Sequence, residues 1–374
     1  MKLKIEKLLQ SRRLGSNINV RNPIVMAPMT TFSGNVDGTV SDAELSYYKA
    51  RSKGVGIVIT ATTYVSQSGK GFTGQFAGYN DSFLPGLEKL ADTIKGEGAL
   101  AILQIFHGGR MAIPAEIPGG QTISASSVAA ERDGAMIPRE MTEGEIQDTI
   151  KAFGETAKLA MDAGFDGVEI HGANTYLLQQ FFSPHSNRRE DVWGGSIEKR
   201  MNFPLAVISE VKKVIKEKGG ENFIIGYRFS PEETENPGIT LEDTLFFIDV
   251  LANQGLSYLH ASLMDFWQSS MRDKINTSPI ICKIIDQIHG RVPFIGVGSI
   301  HTPDDAIKAL ESGAEFIAIG REIIMEPEWV TKIQMGKVSK IRTSLSKSER
   351  KALDIPEPLW NVIINTPGWF PITE

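Results

Sequence analysis

Eight short apolar runs, separated by segments that carry helix-start chemistry, narrow the folds open to this chain more than any other feature. They cover residues 22–29 (NPIVMAPM), 56–65 (GIVITATTYV), 100–107 (LAILQIFH), 167–173 (GVEIHGA), 223–230 (FIIGYRFS), 258–263 (YLHASL), 293–300 (PFIGVGSI) and 316–320 (FIAIG). Most are continuously apolar rather than alternating, as a parallel sheet covered on both faces requires. Ser41 with Glu44, and Thr142 with Glu145, have capping-box spacing. Ser278-Pro279 and Thr302-Pro303 place a capping residue before a proline at the first helical position. Gly54, Gly98, Gly164, Gly255 and Gly313 stand where helices should stop before the next strand. Eight strand–helix units in succession predict an α/β fold, a parallel (β/α)8 TIM barrel, which takes about 250 residues before insertions.

The chain has 374 residues, so the barrel leaves room for additions. Residues 1–21 are expected to form an N-terminal hairpin. Residues 108–140, rich in Gly and Pro, interrupt the connection after the third strand and read as an inserted lid. Residues 338–374 read as a tail with one helix near 346–353 and an apolar end, Trp369-Phe370-Pro371, packed on the barrel rather than functional. Residues 1–374 thus read as one domain.

Composition removes several function classes. A net charge of −6 argues against a nucleic-acid surface, which needs a basic face. The single cysteine, Cys282, cannot form an internal disulfide framework, nor anchor a structural zinc or an iron–sulfur cluster by itself. No metal is expected. No apolar run reaches the roughly 18 residues of a membrane span, and the charged start lacks a signal peptide's apolar core. The expectation is a cytoplasmic protein acting on small molecules, with a homo-oligomer compatible with the sequence.

In barrels of this kind the active site lies at the C-terminal ends of the strands. The fourth strand stops at His171, with Asn174 and Tyr176 close behind. Two neutral hydrogen-bond donors and one weak acid suit a carbonyl oxygen that gains negative charge while a neighbouring carbon is protonated. Taken singly, each residue reads more readily as a satisfied core histidine, a turn asparagine or a half-buried tyrosine; it is the three together that point to chemistry. Strand one ends at Pro28, Met29, Thr30 and Phe32, strand two supplies Ala61, and strands three and five supply Gln104 and Arg228. Gly298-Ser299 and Gly320-Arg321 end the last two strands, the usual phosphate site of the fold. A planar heterocycle with a phosphate tail would span the gap, with Gln104 and Arg228 pointing up from neighbouring strands between its two ends. A guanidinium tied to a barrel carboxylate is the structural alternative for Arg228.

Two patterns are set aside. Gly69-Lys70-Gly71-Phe72-Thr73-Gly74 matches the dinucleotide-binding glycine spacing, but no helix opens after it and no acidic residue ends a second strand at the required distance. No nucleophile elbow is present for a Ser–His–Asp hydrolase.

Longer stretches carry a resemblance. NPIVMAPMT at 22–30, GVGIVIT at 54–60, AILQIFHGGR at 101–110, GFDGVEIHGANTYLLQQFFSPHSNRREDVWGGSIEKR at 164–200, then GVGSI and FIAIGRE, resemble the Old Yellow Enzyme family of FMN-dependent ene-reductases over about residues 10–335. The resemblance implies FMN at the barrel mouth, against Pro28, Met29, Thr30, Ala61 and Gln104. Arg228 would face the N1 and O2 side of the ring, and Gly298, Ser299, Gly320 and Arg321 would hold the phosphate. His171 and Asn174 would bind the carbonyl of an α,β-unsaturated substrate, beside Phe32; Trp267, just past strand six, reads equally as a pocket wall or as ordinary core packing. Hydride would pass from flavin N5 to the β-carbon, and Tyr176 would protonate the α-carbon. NADH or NADPH would reduce the flavin from the same face in ping-pong fashion, consistent with the rejected glycine motif.

This chain departs from parts of the family. Thr30 stands where some members have Cys, Asn174 where some have a second His, and Phe32 where an aromatic hydroxyl is frequent. The alternatives are a non-catalytic flavin-binding protein and a flavin-free phosphate-binding barrel enzyme. The latter needs a lysine or an acid/base pair at the strand ends, and Lys283 and Lys308 fall on expected helices.

Overall fold

The structure, a computed structural model, describes residues 5–15 and 18–373. Eight parallel strands form a closed ring: Ile24–Met26, Ile57–Tyr64, Leu100–Phe106, Gly167–Gly172, Ile224–Phe229, Tyr258–Ala261, Phe294–Val297 and Phe316–Ile319. They are strands one to eight below. Strand eight pairs with strand one (Ala318 beside Val25), which closes the barrel.

Two separate clusters show how the runs are used. Val25, Ala27, Ile57, Ile59, Ile102, Ile224, Ile295, Val297, Phe316 and Ala318 alternate along their strands and fill the interior. Their neighbours, among them Met26, Val58, Leu103, Ile105, Val168, Ile170 and Ile317, face the other way and pack in the layer shared with the helices. Both faces are therefore buried, and the runs are apolar without alternation.

A hairpin of Arg12–Leu14 and Ile18–Val20 precedes the ring. Its Leu14 and Val20 join the interior cluster, and Gly56, at the start of strand two, lies against Val20. The hairpin therefore stops the end of the barrel where the strands begin. The opposite end is the open mouth.

Helix signals are mostly realised, with informative exceptions. Thr142 and Glu145 form a reciprocal capping box, as do Thr302 with Asp305 and Thr240 with Asp243. Ser41 caps its helix, accepting from the Glu44 N–H at 3.2 Å, but the Glu44 carboxyl turns inward to the Thr31 hydroxyl instead of back to the cap. Burial pushes that carboxyl up to about 8. Ser278 does not cap: the helix Ile280–Ile288 has Pro279 at its N-cap, so the start lies one residue later than the Ser-Pro pair suggested. The five helix-ending glycines have φ between 67° and 105°, a conformation open to glycine without steric cost.

The additions differ more. Residues 108–140 contain three short 3-10 turns and a two-residue pairing of Ile123–Ser124 with Arg139–Glu140. Gln180 fastens this insertion to the strand-four loop: it accepts from the Arg110 N–H and Ser124 Oγ, and donates to the carbonyls of Gly108 and Thr175. The tail helix is Glu357–Asn365, not 346–353, which is mostly turn. Prolines at 356 and 358 suit the first turn of a helix, and Leu359, Trp360 and Ile363 give it a buried face.

Candidate active site

A cavity of about 510 Å³ opens at the mouth beside strands seven, eight and one. Pro28, Met29, Arg228, Gly298, Ser299, Gly320 and Arg321 line it. Gly298 has φ 129°, and a Cβ there would stand 2.6 Å from the backbone of Asp265 and Phe266. Only glycine lets the strand-seven loop pass that closely. Ser299 also has positive φ; its hydroxyl donates to the Met264 carbonyl at 2.9 Å and accepts from Arg321 Nη2 at 3.2 Å. Arg321 Nη1 donates to the Trp369 carbonyl at 3.1 Å, so the tail helps aim this guanidinium. Trp369 also lines the cavity, which corrects the expectation that the apolar tail end only packs on the barrel.

Above the apolar interior the inward-facing series turns polar. Gln104 on strand three donates to Glu169 at 2.6 Å, and His260 Nδ1 lies 2.8 Å from the other carboxylate oxygen. Burial pushes the Glu169 carboxyl up, but His260, Arg228 and Gln104 outweigh it and hold the pKa below its ordinary value. Strand four lies between strands three and five, so Gln104 and Arg228 are not on neighbouring strands as expected; Arg228 is in register with His171 on one side and His260 on the other. Its side chain is buried, at 8% exposure. One Nη donates to Ser262 Oγ at 3.1 Å, while Nε has no partner among the described residues. A guanidinium can only donate. Arg228 also lines the cavity, so a ligand acceptor there would meet a cation whose hydrogen bonds the described residues leave incomplete.

The third part is an aromatic and polar wall. His171 is 2% exposed, and burial, with the Arg228 charge, lowers its pKa to about 3. The ring is therefore neutral near pH 7. Its Nδ1 accepts from the Ala173 N–H at 3.2 Å, which leaves the proton on Nε2 as a donor. The Tyr176 ring stands edge-on to His171 at 5.2 Å between centroids and against Phe106 at 4.5 Å. Burial pushes its phenol up to about 12, against a small opposing effect of the Arg132 and Arg228 charges. Asn174 and Thr175 both have positive φ, so the loop turns sharply above strand four.

The remaining expected residues fall nearby or elsewhere. Thr30, Phe32 and Ala61 line an adjoining crevice, in which Phe32 has φ 56° and packs edge-on to Phe72. The Ala61 N–H is taken up by the Tyr48 hydroxyl at 2.7 Å. Trp267 does not line the cavity; it is 41% exposed, with one edge against Phe266. The glycines of the set-aside motif serve packing: a Cβ on Gly69 would meet the His107 ring at 2.7 Å, and one on Gly71 the Phe106 ring at 2.8 Å. Glu169, His260, Ser262 and Trp369 had no assigned role in the sequence. Strand register or a long-range contact is needed to bring each to the mouth.

The 187–200 motif proves to be a structural brace. Arg189 donates to the carbonyls of Ala125 and Met141, Trp193 Nε1 to Glu143, and Arg200 to the carbonyls of Phe182 and Gly195.

A family model described as the NADH:flavin oxidoreductase / NADH oxidase family matches residues 9–340. The chain belongs to that family. It is 44% identical over 374 residues, the full length of both chains, to the "Probable NADH-dependent flavin oxidoreductase YqiG" of Bacillus subtilis (strain 168). It is 47% identical over 351 residues to the NADH:acrylate oxidoreductase of Vibrio harveyi, covering 93% of this chain and 35% of that one. With the NADH:fumarate oxidoreductase of Klebsiella pneumoniae (strain 342) the identity is 42%, covering 95% and 38%. The chain thus spans little more than a third of those two relatives. Among solved structures, a morphinone reductase variant in complex with tetrahydroNAD superposes with a TM-score of 0.75 at 26% identity, covering 88% of this chain and 91% of that one. The fold is that of the Old Yellow Enzyme group, and the chain is an NAD(P)H-dependent, FMN-containing oxidoreductase.

The mouth fits that cofactor. Arg321 and the close glycine turn at Gly298 suit a phosphate, and the Arg228 guanidinium, which lines the cavity, suits an acceptor edge that gains negative charge on reduction. His260, in register beside Arg228, also has an Nε2 with no partner among the described residues. Among the described residues no helix is long and apolar enough to cross a membrane, and no group of His, Cys, Asp and Glu could hold a metal ion.

Proposed function

We propose that the enzyme reduces the activated C=C bond of α,β-unsaturated carbonyl compounds. In this reading Gly298, Ser299, Gly320 and Arg321 hold the FMN phosphate, Pro28, Met29, Thr30, Ala61 and Gln104 border the ring, and Arg228 meets its electron-accepting edge. When bound, FMN supplies the hydride that passes from NAD(P)H to the alkene. His171 Nε2 and the Asn174 amide donate to the carbonyl oxygen and stabilise the charge that develops there. Tyr176 gives its phenolic proton to the α-carbon: the O–H bond breaks, a C–H bond forms, and the phenolate recovers a proton from solvent. Phe32 borders the substrate, and residues 108–140 act as the lid.

The observation that carries this reading is the protonation state of the wall. His171 is neutral with its donor nitrogen free, and a fully protonated phenol stands 5.2 Å from it, ring to ring. A neutral donor stabilises an enolate without surrendering its own proton, which leaves Tyr176 as the acid. Acrylate and fumarate, named by two relatives, are themselves α,β-unsaturated acids, so they belong beside enones in the substrate screen.

The test is anaerobic. The holoenzyme is bleached with NADH or with NADPH and then offered 2-cyclohexenone, acrylate and fumarate in turn. Recovery of the yellow colour with stoichiometric saturated product supports the reading. Bleaching that no unsaturated carbonyl reverses would overturn it.

A further inference from the structure

One hydrogen-bond chain crosses the mouth from the cofactor side to the substrate side. Arg228 Nη2 donates to Ser262 Oγ at 3.1 Å, and Ser262 Oγ donates to Asn174 Oδ1 at 2.8 Å. Ser262 lies just past strand six, where its N–H donates to the Phe229 carbonyl at 2.8 Å. The Asn174 backbone is pinned as well: its N–H donates to Ser230 Oγ at 2.9 Å, and the residue sits at φ 54°.

The direction of this chain is forced by its first member. A guanidinium has no acceptor, so Ser262 must accept from Arg228. The single hydroxyl proton of Ser262 is then free for Asn174, and it needs an acceptor there. The amide oxygen meets that need, whereas the amide nitrogen, another donor, would leave the proton unplaced. Asn174 therefore turns its oxygen toward strand six and its NH2 group away, available as a donor. Without the chain, the two ends of an amide are nearly the same size and nothing steric separates its two orientations.

We propose that Ser262 is a positioning residue that fixes the polarity of Asn174, so that this side chain presents hydrogen-bond donors, and not an acceptor, to the substrate carbonyl. The proposal rests on the reading of Asn174 as a carbonyl-binding group. It also makes the substrate wall selective: an oxyanion or carbonyl is welcomed, and a ligand offering a donor at that point is not.

The test is p-chlorophenol binding to the FMN-loaded enzyme, followed through the flavin absorbance, because a phenolate resembles an enolate oxygen. Ser262→Ala should raise the dissociation constant by about 3- to 10-fold, the range expected for one hydrogen bond. Ser262→Thr, which keeps the hydroxyl, should restore it. In an Asn174→Ala background, Ser262→Ala should add nothing, because the chain then has no end to orient; a merely structural role would persist in that background. Unchanged phenol affinity in Ser262→Ala, or a full effect that survives in Asn174→Ala, overturns the proposal. No effect of Asn174→Ala itself would remove the reading of Asn174 and this proposal with it. An effect of Asn174→Ala with none of Ser262→Ala would remove the proposal alone.

Discussion

The two halves of the barrel mouth hold their polar groups by different means. On the side of strands seven, eight and one, position is set by backbone: Gly298 at φ 129°, Ser299 at φ 46° and the turn at Gly320, against which Met29 packs. On the side of strands three to six, side chains hold one another: Gln104 and His260 on Glu169, Arg228 on Ser262, Ser262 on Asn174. The first half is a mould for an anion of fixed shape. The second is a set of protonation states, and a single removed proton or donor should be felt there without loss of the fold.

That contrast can be broken in order of effect. Tyr176→Phe keeps the ring packing against Phe106 and removes only the proton; it should slow enone reduction about 100-fold, within the range for a lost general acid, while NADH-driven flavin reduction stays within about 3-fold. Stopped-flow traces of the two half-reactions decide it, and equal slowing of both would refute the assigned role. Arg321→Ala acts on the other half: FMN should bind about 10- to 100-fold more weakly in a fluorescence titration of the apoprotein, the loss expected for a charge-assisted hydrogen bond. Unaltered FMN affinity would mean that the phosphate lies elsewhere. His171→Ala should weaken p-chlorophenol binding about 10-fold and leave FMN affinity alone; an intact phenol affinity would remove His171 from the oxyanion role.

The smallest expected effect is on pH dependence. His171 titrates near 3 and Tyr176 near 12, both moved by burial. The working form, neutral imidazole with protonated phenol, is lost below the first value and above the second. The rate of enone reduction by pre-reduced enzyme should therefore be flat from about pH 5 to about pH 9, and a step near the ordinary histidine value of about 6.5 would show that His171 changes charge in the working range.

The sequence was most legible where chemistry is local. Strand runs, helix-stopping glycines and the Thr142 and Thr302 caps depend on residues within a few positions of each other, and the barrel follows from their order. The tail helix was misplaced because a polar, helix-compatible stretch at 346–353 competed with a proline-led segment whose apolar face matters only once it packs. Glu169 sits inside the most conspicuous stretch of the chain, yet its partner His260 lies 91 residues away and meets it only through the register of strands four to six. Ser262 and Trp369 were hidden for the same reason, since each acquires meaning from a distant arginine that donates to it, Arg228 to the Ser262 hydroxyl and Arg321 to the Trp369 carbonyl. The 164–200 stretch carried the resemblance without carrying all of the chemistry: Arg189, Trp193 and Arg200 brace the frame that holds the site.

The most direct measurement is a crystal structure of the enzyme with FMN and p-chlorophenol. The phosphate should lie beside Gly298 and Arg321, the phenol oxygen should accept from both His171 Nε2 and Asn174 Nδ2, and the Tyr176 hydroxyl should face the ligand. A phosphate bound away from Gly298 and Arg321, or a Tyr176 hydroxyl directed away from the phenol, would contradict the account.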